Sequence, residues 1–408
     1  MISEIKHCRI CKSNDLKNIL NLGSQPPANS LHKKNEKIKK FPLKVVFCGK
    51  CKTSQLSVSL SPKFLFSKYF WVTATSSIAK KHSQKFYNLT SKYIKKNSTV
   101  IEIASNDGTF LKPFLKKKHK VLGIDPAKNI CKIANLDGIK TIPEFFSEKA
   151  SVKIKKKYKN IDLIFARNVI PHVKNIHSVV KGISNLASDK SIVAIEFHYS
   201  KDILNELQYD SIYHEHLFYF TIKTISNLFS KYNLHPFDVF SSPISGGSLV
   251  LIFSKKQNKK KKILKEMEKD EEKNNLNKIT KWKTFAKKSK IHAQKFKSDI
   301  LKSFKINGKL FGYGASARSS TLLNYCKLSN KHIDFIIDQN PLKQNLYTPG
   351  TNIPIRSIKD TFNNLVEKNM VLLAWNFKDE IIKIIKKTGF KNKIILPIKK
   401  NGNKQNTN

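Results

Sequence analysis

Apolar residues in this chain gather in short continuous blocks separated by stretches of helical spacing, a rhythm that predicts buried strands alternating with helices. The block Ser98-Thr-Val-Ile-Glu-Ile-Ala104 runs into a turn, Ser105-Asn-Asp-Gly108, and then into the helical Thr109-Phe-Leu-Lys-Pro-Phe-Leu115. Val121-Leu-Gly-Ile-Asp125 reads as a second strand closed by an acid, Ile161 to Ala166 as a third that leads into Arg167-Asn168-Val169, and Ser191 to Phe197 as a fourth. Such alternation predicts a doubly wound parallel sheet with its ligand beyond the C-terminal ends of the strands. Lys309-Leu-Phe-Gly-Tyr-Gly314 restarts the pattern, with later strands at Ile333 to Asp338 and Met370 to Trp375. Between about 255 and 305 the chain is lysine-rich and free of Gly and Pro, and reads as a helical connector with a solvated face. The expected division is therefore 1–62, 63–255, a connector over 256–305, and a second α/β unit over 306–400.

The length of 408 residues agrees with two or three domains, and 40% hydrophobic residues suffice for globular cores. A formal charge of +48 raises the question of a polyanion partner. The excess is nearly all lysine, spread through every segment, and only Arg9, Arg167, Arg318 and Arg356 are arginines. A solvated basic surface that favours an anionic substrate is the better reading, so no nucleic-acid partner is expected. There is no apolar run long enough to span a bilayer, and Met1 to Lys12 lacks the apolar core of a secretory signal. A cytoplasmic protein without a membrane partner is the expectation, and there paired cysteines are better read as metal ligands than as disulfides.

Cys8-Arg-Ile-Cys11 and Cys48-Gly-Lys-Cys51 are two C-x-x-C knuckles separated by 36 residues. Together Cys8, Cys11, Cys48 and Cys51 can close a tetrahedral thiolate site for Zn2+, with Gly49 easing the second turn. Four sulfurs leave no open position, so this zinc is structural. Cys131 and Cys326 read as buried small hydrophobes.

The first parallel unit lacks the triple-glycine run of a dinucleotide fold. It has instead Glu102 in the first strand, the loop Ser105, Asn106, Asp107 and Gly108, and Asp125 closing the second strand, where a carboxylate can accept two ribose hydroxyls. S-adenosylmethionine fits that set better than NAD; the bland alternative is that Glu102 and Asp125 only cap structure. Tyr209-Asp-Ser-Ile-Tyr213-His214-Glu215-His216 is dense in acid–base groups, and a metal site is its rival reading. His172, in Asn168-Val-Ile-Pro-His172, follows the third strand and should face the same crevice.

These motifs, with Ser245-Gly-Gly-Ser248, Gly312-Tyr-Gly-Ala-Ser-Ala317, Asp338 to Gln344 and Tyr347 to Thr351, resemble in their order the S-adenosylmethionine-dependent sugar C-methyltransferases of bacterial deoxysugar biosynthesis. The resemblance spans essentially the whole chain. It implies a class I, Rossmann-like methyltransferase domain, an N-terminal zinc-binding domain and a C-terminal Rossmann-like α/β domain. It places His216 as general base, with Tyr213, Glu215, His172 and an upstream tyrosine, Tyr69, in the catalytic group, and Asn168 at the cofactor. Gly312, Gly314, Arg318 and Lys343 would hold the substrate's diphosphate, Arg318 standing where a lysine is expected.

The implied reaction is methylation of a carbon, C3, of a nucleotide-linked 4-keto-6-deoxysugar through an enolate, by a monomer or homodimer. An O- or N-methyltransferase of another small molecule would need no carbon-acid base. An RNA methyltransferase fits less well, because Asn168 to His172 is not an Asn/Asp-Pro-Pro-aromatic arrangement, and a zinc-ribbon interaction protein would bind no S-adenosylmethionine.

Overall fold

A computed structural model describes residues 2–66, 72–75, 77–364 and 368–398. Strands β1 (Ile2–Glu4), β2 (Leu16–Gln25), β3 (Phe41–Cys48), β4 (Ser54–Leu56) and β5 (Val58–Leu60) form the N-terminal unit. The two knuckles flank the antiparallel β2–β3 pair, which brings Leu16 opposite Cys48. Gly49 has a steric reason to be glycine: a Cβ there would sit 1.8 Å from Asp15 Oδ2.

The central sheet is built from β6 (Thr99–Ile103), β7 (Lys120–Ile124), β8 (Thr141–Ile142), β9 (Leu163–Arg167), β10 (Ile192–His198), β12 (His235–Ser242) and β13 (Ser248–Ser254). Its order is β12-β13-β10-β9-β6-β7-β8, with β13 antiparallel to both neighbours. All four strands expected from the apolar blocks are present and parallel, and every residue of β10 is buried, as a strand covered on both faces requires.

The chain leaves this sheet after β10 and returns only at helix Ile222–Ser230. Tyr199 bridges Phe220 at the base of the excursion, and Ser200 N donates to Phe220 O at 3.0 Å. Within it, β11 (Phe218–Tyr219) pairs with β4 and so becomes the edge of the N-terminal sheet. The stretch carrying Tyr213 to His216 is therefore pinned by both sheets.

Helices Lys262–Lys273 and Ile279–Asn307 follow. The expectation of a solvated connector is half right. The second helix exposes lysines but also buries Trp282, Phe285, Ser289, Ala293, Phe296, Ile300 and Ser303 along one stripe. The C-terminal unit is a parallel sheet of β14 (Leu310–Tyr313), β15 (Ile333–Ile337), β16 (Ile355–Arg356), β17 (Met370–Leu372) and β18 (Ile394–Ile395), in the order β16-β15-β14-β17-β18. This α/β architecture with a parallel-rich sheet is the fold class the sequence predicts. No helix among the described residues is long and apolar enough to cross a membrane.

Candidate active site

The four knuckle sulfurs lie within 4.8 Å of one another, each cysteine offering one ligand atom. Cys8 Sγ is 3.6 Å from Cys51 Sγ, and Cys11 Sγ is 3.4 Å from Cys48 Sγ. The amides of Ile10 and Cys51 and the side-chain amide of Gln55 donate to these sulfurs, which favours thiolates. The donor set fits a closed zinc site.

At the C-terminal end of β6, Glu102 is fully buried and meets Arg167, whose Nη2 and Nε lie 2.8 and 2.9 Å from Oε1. Burial pushes the Glu102 carboxyl up to about 8, against the pull of Arg167. The guanidinium in turn covers the Phe110 ring. Asp125 Oδ2 accepts from Asn106 N and its Oδ1 from Ala127 N, both at 2.9 Å, which holds the loop Ser105 to Gly108 against β7. Thr73 donates to Asn106 and Ala74 N to Asp107 Oδ2, closing the loop from above. Gly108 takes φ +74, and a Cβ there would press on Ile139 at 2.8 Å. Glu102 Oε2 and Ser105 Oγ are buried without a hydrogen-bond partner among the described residues, the polar atoms expected where a ligand completes the site.

Tyr213, Glu215, His216 and His172 are brought together. His172 and His216 line a narrow cleft with Asn168, Pro171, His198, Ile203, Phe218, Tyr219 and Ser245. The His172 and His216 rings are T-shaped with centroids 4.8 Å apart. His216 Nδ1 is 2.8 Å from the Ser211 carbonyl, which can only accept, so Nδ1 carries the proton. Nε2 is then the lone pair, and it accepts from Tyr213 Oη at 2.7 Å. Burial, the neighbouring imidazoles and Arg318 hold His216 well below the ordinary histidine range, and burial takes His172 down to about 4. Glu215 accepts from Asn29 Nδ2 at 2.7 Å, a residue of the N-terminal unit; burial raises its carboxyl to about 7. His214 faces away, with Nε2 3.2 Å from the Pro42 carbonyl, and anchors the segment to β3.

The C-terminal candidates are split. Arg318 reaches the cleft's far wall, its Nη2 donating to Gln208 Oε1 at 2.6 Å. Lys343 does not join it: its Nζ is engaged by Ala315 O at 2.9 Å and Asp338 Oδ2 at 3.3 Å. The expectation that the Gly312 and Gly314 amides hold a diphosphate is corrected. Gly312 lies inside β14, paired on both sides, and Gly314 N donates to Ile337 O at 2.8 Å. Both are glycines because the neighbours are close: a Cβ would sit 2.9 Å from Leu373 and Ile336 at Gly312, and 2.3 Å from Ala374 Cβ at Gly314. Tyr69 lies outside the described residues. Arg167, His198, Gln208, Asn29 and Ser245 were not singled out as site residues from the sequence. The Ser245-Gly-Gly-Ser248 run was noted, and it puts Ser245 at the cleft because Ser245, Gly246 and Gly247 all take positive φ.

Three family profiles match in succession: a zinc binding domain over residues 8–66, a methyltransferase domain over 77–237, and a C-methyltransferase C-terminal domain over 243–398. The C-methyltransferase NovU of Streptomyces niveus is 30% identical over 391 residues, covering 94% of this chain and 92% of that protein. Solved structures with weak likeness include a SAM dependent methyltransferase from Archaeoglobus fulgidus, 13% identical over 48% of this chain and 100% of that one (TM-score 0.35). Another is the 1,6-didemethyltoxoflavin-N1-methyltransferase of Burkholderia thailandensis, 14% identical over 45% of this chain and 81% of that one (TM-score 0.34). The similarity to NovU over nearly the full length of both chains, together with the three profiles matched in succession along this one, shows that this chain belongs to the S-adenosylmethionine-dependent, zinc-containing C-methyltransferase family.

Proposed function

We propose that this enzyme methylates a carbon, C3, of a nucleotide-linked 4-keto-6-deoxysugar, with His216 as the base that makes the carbon nucleophilic. The observation that carries the reading is the state of His216: half-buried, neutral, with Nδ1–H fixed on Ser211 O and Nε2 left as a lone pair that accepts from Tyr213 Oη at the cleft. A nitrogen acceptor attacks through a lone pair it already has and a hydroxyl sheds its proton only as it attacks, whereas a carbon beside a ketone must lose a proton before it can attack. S-adenosylmethionine, when bound, supplies the electrophilic methyl; Glu102, Ser105, Asn106, Asp107, Gly108, Asp125 and Asn168 would hold it.

The chain's own part is proton transfer and charge placement. His216 Nε2 takes the proton from the sugar carbon, and Tyr213 Oη, released from Nε2, turns its hydrogen to the developing enolate oxygen. His172, kept neutral by burial, is a second polar group at that oxygen, and Glu215 fixes the segment through Asn29. Tyr69 is proposed for the same pocket by resemblance. Arg318 contributes positive charge toward the nucleotide diphosphate, which the basic surface also attracts.

The test is methyl transfer to a panel of nucleotide-linked 4-keto-6-deoxysugars, together with exchange of the acidic sugar proton into deuterated water. Methylation on carbon, with exchange abolished by His216→Asn, supports the reading. A methyl found on oxygen, or exchange that survives the substitution, overturns it.

A further inference from the structure

One wall of the cleft has no task in this reaction. It is formed by His198, at the C-terminal end of β10 and only 7% exposed, which lines the cleft with His172 and His216. Its partners determine what it can do. Gln208 Nε2 donates to Glu206 Oε2 at 2.7 Å and to the Gly246 carbonyl at 3.1 Å, so the amide's oxygen must face the other way. That oxygen, Oε1, receives Arg318 Nη2 at 2.6 Å and His198 Nε2 at 3.0 Å. Nε2 of His198 therefore carries the proton, and Nδ1 is a lone pair with no hydrogen bond among the described residues.

The device that sets this tautomer comes from another part of the chain. Arg318 belongs to helix Ala317–Tyr325 of the C-terminal unit, and its guanidinium lies 4.8 Å from the Trp375 ring centre. Trp375 Nε1 donates at 2.7 Å to Asp210 Oδ2, two residues beyond Gln208. Arg318 is thus clamped between a ring of its own unit and the segment it serves, and Gln208 cannot flip its amide without losing its bonds to Glu206, the Gly246 carbonyl and Arg318.

We propose that His198 reads a hydroxyl of the sugar, accepting its O–H at Nδ1 in a tautomer that Gln208 and Arg318 impose across the boundary with the C-terminal unit. The proposal rests on the keto-sugar reading above and deepens it. An acceptor cannot stabilise an enolate oxygen, which needs donors, so His198 does not serve the developing charge. Its part is to bind a hydroxyl flanking the reacting carbon and so to decide which carbon faces His216 Nε2. The two rings are 6.5 Å apart between centroids, a separation suited to groups on neighbouring sugar carbons. Burial and the nearby Arg318 charge hold the His198 imidazole down to about 3, so it stays an acceptor throughout the working range. A sugar that is deoxygenated or O-alkylated at that position would leave the lone pair buried and unpaired.

Two measurements test this. Histidine side-chain 15N spectra of the zinc-loaded full-length enzyme should show His198 protonated at Nε2 and bare at Nδ1, and Gln208→Leu should mix the tautomers. A proton on Nδ1 in the unsubstituted enzyme overturns the proposal whether or not any variant folds. The second is kcat/KM for a sugar acceptor and for its analogue lacking the flanking hydroxyl. The parent should prefer the hydroxylated acceptor by about 10- to 100-fold. His198→Leu should bring that ratio close to unity, and His198→Asn, whose Oδ1 can take the place of Nδ1, should restore part of it. A purely structural role would lower both values and leave the ratio. A parent that methylates no sugar removes the keto-sugar reading and this one with it; a parent that does, and keeps its preference in His198→Leu, removes this one alone.

Discussion

Tyr213→Phe separates two roles for one phenol by their size. In the resting site Tyr213 Oη donates to His216 Nε2 at 2.7 Å, with the two ring centroids 4.0 Å apart. If that bond only orients the base, its removal costs what a neutral buried hydrogen bond is worth, about 0.5–1.5 kcal/mol, or roughly 2- to 10-fold in kcat. If the same O–H turns to the enolate oxygen once Nε2 is protonated, the loss is that of a donor to a developing anion in a water-poor cleft. Removing such a donor costs about 2.7–4 kcal/mol, or 10²–10³-fold. The geometry favours the larger figure, because His216 is already oriented by Ser211 O through Nδ1 and does not need the phenol for that purpose. The expected result is a fall of about 10²–10³ in kcat with little change in KM for the acceptor, since the interaction is made only as charge develops. The assay is release of S-adenosylhomocysteine under saturating donor, paired with deuterium exchange at the sugar carbon, which reports enolate formation alone. A loss below about tenfold with exchange intact would refute the reasoning and confine Tyr213 to holding the base.

Three further outcomes are expected. Cys48→Ser should release zinc and lower both thermal stability and kcat, because β4, anchored beside the knuckles, pairs with β11 only two residues after His216; a zinc-free protein with full activity, by metal analysis and initial rates, would contradict this. Glu215 is held at about 7 by burial against an ordinary 4.5, so the folded state binds its proton more tightly than the unfolded chain does. Its contribution is complete below pH 4.5 and lost as pH rises through 7, so Glu215→Gln should gain up to about 3 kcal/mol relative to the parent between pH 4.5 and 8. Denaturant unfolding of both proteins at the two ends of that window measures it, and an equal difference at both would count against a buried, proton-retaining carboxyl. Gly247→Ala places a Cβ 2.2 Å from Asp202 Oδ2 at a φ of +134, and should cost about 1–3 kcal/mol of stability while displacing Ser245 from the cleft; a melting temperature equal to the parent's would show that the loop relaxes freely.

What could be read from the sequence follows the range of the interactions involved. The parallel strands were visible because each is a continuous apolar block, and the zinc ligands because a C-x-x-C knuckle supplies two sulfurs from one turn. Arg167 was invisible as the partner of Glu102 because the two are 65 residues apart and meet only when β9 lies beside β6. The pairing of β11 with β4 left no trace, since a two-residue strand has no periodicity. Gly312 and Gly314 misled for the opposite reason: a Gly-x-Gly after a strand looks like a phosphate loop, but here both are small to admit Ile336, Leu373 and Ala374. The connector carried a signal that went unused. Trp282, Phe285, Ser289, Ala293, Phe296, Ile300 and Ser303 recur at intervals of three and four, the spacing of a helix with one buried stripe.

The excursion between β10 and helix Ile222–Ser230 explains why one cleft needs three units. Its stretch Tyr213 to His216 alone carries two imidazoles, a carboxyl and a phenol away from water, and these polar groups must be satisfied or stability is forfeited. The excursion cannot do so by itself: Asn29 of the N-terminal unit meets Glu215, Arg318 of the C-terminal unit meets Gln208, and Leu217 N reaches back to Pro171 O beside β9. Each unit thus holds the same stretch through bonds of its own, and those bonds fix different groups along it. His216, Tyr213 and His172 are then positioned by contacts far apart in sequence. A substitution in any of the three units should be felt first as lost geometry at residues 208–217, before it is felt as lost binding.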